Sequence, residues 1–406
     1  MDSADVIIIG GGMVGMTLAL ALDAHGLCSH VIDTADLSST LQPAFDGRAS
    51  AIASASARMF EAIGLSAALG EGCAIRAIRV TDDLSPLHLH FDSVDSAGGP
   101  LGYMFENCQL RAAMLAKAAL AAGIHIHAPA RATRIDRSDA GVSVTLDTGR
   151  SLTAPLIVAA DGRRSRLRED SGIRIANWQY DQTAIVTTIA HAEPHDCVAF
   201  ELFYPSGPFA ILPMPDDAAG RHRSAIVWTV EAQDAAATLT LPPRALAAEI
   251  EARMGGFLGT IAMIAPAASY PLGFHHAERY VDRRLALIGD AGHGIHPIAG
   301  QGLNMGLRDV AALTEVLVDA VRIGLDPGSD AVLNRYQSWR RLDNAMVSAA
   351  TDGLNRLFAL PGRSAAMIRR LGLAAVERMP PLKRRFMAEA RGETGDRPKL
   401  LLGELV

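Results

Sequence analysis

Near the start of the chain, four β-branched residues in a row (Val6 to Ile9) read as a strand buried on both faces. Three glycines follow, and the Leu- and Ala-rich run MVGMTLALAL predicts a buried helix. A second apolar stretch closes at Asp33, so this block reads β-α-β, the beginning of a parallel sheet. Further on, GVSVTLDTGRSLTAPLIVAAD alternates like a hairpin and then runs into another continuous apolar strand ending at Asp161. RLALI, just before Gly289, repeats that buried pattern. Between them lie AIRAIRVTDD, TAIVTTIAH, CVAFELFYPSGPFAILPMP and RSAIVWTVE, whose spacing suggests a mixed or mostly antiparallel sheet. PPRALAAEIEARMGG predicts a helix on that sheet. From Val332 onward the pattern is helical, interrupted at LPGRS and RMPPLK.

These elements predict an α/β protein. A doubly wound, Rossmann-like domain is expected from three blocks, 1–75, 102–175 and 278–335. An inserted mixed β-sheet domain is expected over 76–101 and 176–277, and a helical C-terminal region over 336–406. With 406 residues, 49% hydrophobic and 20% charged, the chain is long enough for such an assembly. A net charge of −6 argues against nucleic acid as the main partner. The apolar N-terminus is expected to be strand and helix, not a signal or a span. Its lead-in MDSAD is acidic, and the run stops at Asp23, short of the ~20 residues a span requires. The expected location is therefore cytoplasmic. Cys28, Cys73, Cys108 and Cys197 are scattered, with no CxxC and no histidines at metal spacing, so free thiols and no metal are expected.

Three motifs carry chemistry. Gly10-x-Gly12-x-x-Gly15, with Val14 inside it, follows the first strand and opens the first helix. This is the setting of a dinucleotide turn: Gly10 for the bend, Gly12 for close approach of a pyrophosphate, Gly15 for helix–strand packing. Asp33 stands where a ribose hydroxyl would be bound, although the motif does not choose between FAD and NAD. Asp161-Gly162 ends a second strand and leads into Arg163, Arg164, Arg166 and Arg168, an Asp-Gly turn before a basic helix start. The third motif is GDAGHGIHPIAGQGLNMGLRDV, from Gly289 to Val310. It places several glycines and a proline between the Asp290 carboxylate and a helix start, where free N–H groups favour an electron-rich ligand.

In this order and at about these separations, the three motifs resemble those of the class A flavoprotein aromatic hydroxylases, the group of para-hydroxybenzoate hydroxylase. The wording from Gly289 to Val310, with His293, His296 and Gln301, resembles the ubiquinone-biosynthesis monooxygenase branch. DGRASAI and the closing ARGETGDRPKLLLGEL also look like that branch. No Trp-x-Trp-x-Ile-Pro pattern of a flavin halogenase is present. The resemblance implies FAD in the Rossmann-like domain. It implies that Gly289 and Asp290 hold the ribityl chain, and that backbone from Gly300 through Gly302, Leu303 and Asn304 faces the pyrimidine end of the flavin. Arg48 would reach the pyrophosphate, with Asn107 and Arg111 as further cofactor contacts. Pro297 corresponds to a proline whose carbonyl lies near the substrate ring. His293 and His296 flank that loop, either as a proton shuttle or as hydrogen-bonding anchors of the turn. His275-His276 and His88 with His90 fall in expected strand or loop surface.

The implied reaction is hydroxylation of the aromatic ring of a polyprenyl-phenol or quinol precursor of ubiquinone. Molecular oxygen would be activated at the reduced flavin as its C4a-hydroperoxide. No second GxGxxG is present, so electrons would come from transiently bound NAD(P)H or from a reduced electron-transfer protein. Candidate pocket residues are Phe203, Tyr204, Phe209, Leu212 and Ile298, each equally able to be ordinary β-core. Arg363, Arg369, Arg370, Arg378, Lys383, Arg384 and Arg385 form a basic C-terminal run. It reads either as a solvated face or as a contact for anionic lipid or a ubiquinone-biosynthesis protein complex. Two other functions stay open on the residues alone. One is a hydroxylase of a small phenolic compound in catabolism or tailoring. The other is a non-catalytic flavin-fold subunit of a quinone-biosynthesis complex, against which the complete glycine and aspartate set argues.

Overall fold

The computed structural model describes residues 2–42, 47–95, 99–360 and 362–406. The four-residue strand Val6–Ile9 sits near the middle of a six-stranded sheet. Its spatial order is Val281–Asp282, Leu285–Leu287, Leu156–Ala159, Val6–Ile9, Ser29–Ile32, Ile124–His127, parallel except at the first pair. The apolar runs read as buried strands are these central strands, which have no solvent side. Helix α1 (Met13–Asp23) is buried from Gly15 to Leu22 because it lies between that sheet, the helix Asn107–Ala118 and a later helix of the Gly-Asp motif. The hairpin expected over 141–154 forms, and joins Asp2–Ser3 and Ala132–Ser138 in a separate four-stranded sheet. Its Val142, Val144, Leu146 and Leu152 enter the same core.

The second sheet has nine strands and takes in every strand-like run between the blocks. It is antiparallel apart from the pairing of Val198–Tyr204 with Ala77–Asp82. His293–Gly294, from the Gly-Asp loop, adds to its edge against Ala268–Ala277, so one loop is hydrogen-bonded into the second sheet while belonging to the first. Side chains alternate across a sheet. One face carries Leu202, Phe209, Ile211, Ile226 and Trp228 against helix α2 (Pro243–Met254). The other carries Phe203, Leu212 and Ala225, turned away from α2.

Helix α3 (Gln301–Arg322) packs on α1, and two later helices close that second face: α4 (Asp330–Ala359) and α5 (Arg363–Glu377), with α6 (Pro380–Ala390) after them. Near the end of α4, Phe358 stacks on Phe203 at 3.8 Å between ring centres. Asp352 accepts a 2.7 Å hydrogen bond from the Tyr180 hydroxyl, and Asn355 donates to Gln182 at 3.1 Å. Helix α5 is bolted to the strand Ala77–Asp82. Arg369 and Arg370 grip the two oxygens of buried Asp82 at 2.8 and 2.9 Å, and Glu377 accepts from the His90 N–H. The basic run is thus divided. Arg369, Arg370 and Lys383 serve internal ion pairs, while Arg363, Arg378, Arg384 and Arg385 stay exposed. Among the described residues no helix is long and apolar enough to cross a membrane.

Candidate cofactor and substrate site

Gly10 has φ +108°, and a Cβ there would stand 2.3 Å from the Ala160 carbonyl oxygen. A Cβ on Gly15 would stand 2.0 Å from the Gly10 carbonyl oxygen, so α1 starts in contact with the strand end. Gly12 differs: nothing lies within 4 Å of its would-be Cβ, and its surface is exposed. Asp33 accepts from the Gly11 N–H at 2.7 Å and the Ala35 N–H at 2.8 Å. Its carboxylate therefore shapes the glycine turn, and each oxygen keeps a lone pair for a ligand hydroxyl. Val14 packs against Gly289 and Gly306, joining the first motif to the third. Gly306 went unnoticed in sequence, although the MGLRDV run contains it.

At the second motif Gly162 takes φ +80°. One Asp161 oxygen accepts from the Arg166 N–H at 3.0 Å. The other is buried without a hydrogen-bond partner, and burial raises the carboxyl's pKa despite the surrounding N–H groups. Arg168 is not a solvated helix charge. It is buried and donates to the carbonyls of Arg163 and Ala291 at 3.2 and 3.0 Å, tying the Asp-Gly motif to the Gly-Asp motif. His275 likewise departs from the expected surface position. It is buried, and its Nε2–H donates to the Asp290 carbonyl at 2.8 Å. The Asp290 carboxylate itself remains exposed.

The third motif is organised by Asp309, only 1% exposed. Its Oδ2 takes hydrogen bonds from the Gly289 N–H at 3.0 Å and His293 Nε2 at 2.6 Å. Its Oδ1 takes them from Arg340 Nε at 2.8 Å and Asn344 Nδ2 at 3.1 Å. Burial pushes this carboxyl up, but His293 and Arg340 outweigh burial and hold it well below the usual range. His293 is accordingly an anchor of the turn. Asn304 is another: its amide bonds Ala53, Ser56, Ala51 and Gly300, which leaves only its backbone toward a ligand. Helix α3 begins after Gly300, at φ +62°, with no side-chain cap, and Gly302 has open space where a Cβ would be. Such a start attracts negative charge.

Open space over Gly12, an orphaned buried oxygen on Asp161, the exposed Asp290 carboxylate and the uncapped α3 start together fit FAD. Arg48 lies with its guanidinium over the Tyr270 ring at 4.7 Å. Its carbonyl accepts from the Asn107 N–H, and the Asn107 side chain accepts from Ser50 at 2.6 Å. Arg111 is half-buried on the helix Asn107–Ala118.

The candidate pocket residues separate. Phe203 and Ile298 meet with Phe358 in one apolar cluster, and Leu212 lies on the same sheet face. Phe209 is buried against Trp228, and the Tyr204 hydroxyl donates to the Arg253 carbonyl at 2.6 Å. Both belong to the α2 side, because period-two alternation sends them the opposite way from Phe203. Pro297 is exposed and its carbonyl accepts from the Gly300 N–H at 3.1 Å. His296 is 1% exposed, neither ring nitrogen has a hydrogen-bond partner, and its ring meets Tyr180 edge-on at 5.4 Å. Burial pushes its pKa down to about 4, so the imidazole is neutral at physiological pH.

Glu201 was missed. It shares the face of Phe203, keeps part of its surface accessible and is pushed up to about 8 by burial. A carboxyl inside the apolar run CVAFELFY was the available signal. With the folded value above the ordinary 4.5, this group costs stability as pH rises from 4.5 to about 8, by up to ~5 kcal/mol. Glu201→Gln should therefore melt above the parent at pH 9 and with it at pH 4. Coincident melting curves at pH 9 would mean that the carboxyl is hydrated.

The profile of the FAD binding domain family matches residues 3–350. Ubiquinone hydroxylase UbiL of Rhodospirillum rubrum is 49% identical over 98% of this chain and 92% of its own length. The 3-demethoxyubiquinol 3-hydroxylase of Escherichia coli is 34% identical over 96% of this chain and 98% of its own length. Among solved structures, p-nitrophenol 4-monooxygenase PnpA from Pseudomonas putida DLL-E4 has the same fold. Its TM-score is 0.77 at 19% identity, covering 98% of this chain and 100% of that one. The three motifs, their joining at the Gly-Asp turn through Val14 and Arg168, and these full-length likenesses agree: the chain belongs to the FAD-dependent aromatic hydroxylases, in the branch of the ubiquinone-biosynthesis monooxygenases.

Proposed function

We propose that this protein hydroxylates the aromatic ring of a polyprenyl-phenol or quinol precursor of ubiquinone, with oxygen as co-substrate. NAD(P)H or a reduced electron-transfer protein supplies the electrons. The observation that carries this reading is the near-full-length identity to a ubiquinone hydroxylase, over a chain that keeps all three motifs. Bound FAD supplies the redox chemistry and the site of oxygen activation. The protein's own part is placement and exclusion of water.

Asp309 holds Gly289 and His293 so that the Gly-Asp turn meets the α3 start in one geometry. The free N–H groups at the α3 start would favour negative charge on a flavin held there. Phe203, Leu212, Ile298 and Phe358 form an apolar wall for a ring and the beginning of its tail. His296, neutral and with both nitrogens unengaged, accepts the hydrogen bond of the substrate phenol. Met367, Ile368 and Leu371 on α5 and Met379 and Phe386 beyond it are exposed beside Arg363, Arg378, Arg384 and Arg385. That combination supports a peripheral contact with an anionic membrane, where a polyprenyl substrate resides, by a cytoplasmic enzyme.

A mass-spectrometric quinone profile of cells lacking the gene tests the assignment. Ubiquinone should fall while a precursor lacking one ring oxygen accumulates, and the wild-type gene should reverse both. An unchanged pool in a cell with no redundant relative would redirect the search to small phenols.

A further inference from the structure

Away from the flavin motifs, the fold brings together three ligand groups from two segments more than a hundred residues apart in the chain. Cys73 begins the strand Cys73–Ile75, and His195 and Cys197 flank Asp196 just before the strand Val198–Tyr204. The Cys197 carbonyl accepts from the Arg76 N–H at 2.9 Å, at the start of the parallel pairing of Ala77 with Val198. One ligand atom from each of Cys73, His195 and Cys197 lies within 4.8 Å of the other two.

The backbone is strained to achieve this. Asp196 and Cys197 take φ +51° and +60°, two successive non-glycine residues in the left-handed region. Such residues persist where the surroundings over-determine them. The turn aims the His195 ring and the Cys197 thiol toward Cys73 together. His195 is also held in one tautomer. Its Nε2–H donates to the Met214 carbonyl at 3.0 Å and its Nδ1 accepts from the Cys197 N–H at 3.1 Å, a bond that a cation on Nδ1 would displace. A ring N–H fixed on a carbonyl is how metal-bound histidines are usually oriented.

Cys73 is buried and Cys197 and His195 are half-buried, so the group is reachable from one side. The His191 and His222 rings lie 5.7 and 6.5 Å from that of His195.

We propose that Cys73, His195 and Cys197 bind one soft divalent cation of the zinc class, with a fourth position open to water. Two thiolates and an imidazole select such an ion over magnesium or calcium. On binding, each thiol gives its proton to solvent and its sulfur lone pair to the metal. The ion would staple the three-stranded sheet Ala49–Ala53, Cys73–Ile75, Gly102–Glu106 to the nine-stranded sheet.

The test uses FAD-loaded protein stripped with a chelator and titrated with Co²⁺, then with Zn²⁺. One Co²⁺ per chain should bind with a thiolate-to-metal charge-transfer band that Zn²⁺ abolishes. Cys73→Ser and Cys197→Ser should lose the band at unchanged FAD content, and His195→Ala should weaken retention by roughly 10–100-fold. In the unmutated protein, Zn²⁺ should protect Cys73 and Cys197 from alkylation but not Cys28 or Cys108. Cobalt binding without the charge-transfer band, or equal alkylation of all four thiols with and without Zn²⁺, overturns the proposal. So does a metal-free chain two hydrogens lighter because Cys73 and Cys197 have joined.

Discussion

Asp309→Ala should unfold about 3–5 kcal/mol more easily than the parent and retain little FAD. The carboxylate is 1% exposed and accepts from four donors, two in the Gly-Asp loop and two on α4. Removing it takes from the buried Arg340 guanidinium one of its two carboxylate partners and from the buried His293 its acceptor, and breaking a buried pair in this way costs up to about that much. Asp343 also pairs with Arg340, but it is on the same helix and reaches neither Gly289 nor His293. Two anchors of the Gly-Asp turn are then released at once, so the loss extends to the cofactor. Linkage has a definite sign here. Because the native carboxyl titrates below its ordinary value of 3.8, its contribution is complete above that pH and is lost as pH falls below it. Denaturant unfolding at neutral pH and the flavin-to-protein absorbance ratio measure the two effects. A variant with parental stability and full flavin content would remove Asp309 from the role assigned to it.

Gly12→Ala and Gly15→Ala should fail in different ways. At Gly15 the new methyl would meet the Gly10 carbonyl at 2.0 Å, so α1 must shift on its strand. Overpacking of this kind costs about 1–3 kcal/mol before any ligand is considered. At Gly12 nothing lies within 4 Å, and an alanine there should leave the melting temperature of the flavin-free chain unchanged. The methyl instead occupies the space through which a pyrophosphate approaches the backbone, and FAD affinity should fall at least ~10-fold. Fluorescence titration of the stripped variants with FAD separates the two cases. Tight FAD binding by Gly12→Ala would show that the space over this glycine serves something other than the cofactor.

Much of the cofactor side could be read from the chain because its signals are local. A tight turn needs its glycine at the bend, and a buried parallel strand announces itself as an unbroken apolar run. The anchoring residues were far less legible. Asp309 stood in view within the quoted RDV, yet its partners His293, Arg340 and Asn344 come from a loop and another helix. The same distance misled the reading of His275 and Arg168, which look like surface residues until the Asp290 and Ala291 carbonyls arrive beside them.

By itself the sequence determined the parallel sheet, the three glycine-bearing turns and the kinship with flavin hydroxylases. Each of these depends on neighbours a few residues apart and on backbone conformations that few residue types allow. Only the tertiary structure decided that Phe203 meets Ile298 of the third motif while Phe209 and Tyr204 face α2, and that Glu201 shares the face of Phe203. It also decided that Arg369 and Arg370 clamp Asp82, and that Cys73 lies beside His195 and Cys197. Those outcomes are set by the packing of segments more than a hundred residues apart, for which local residue pattern carries no distance.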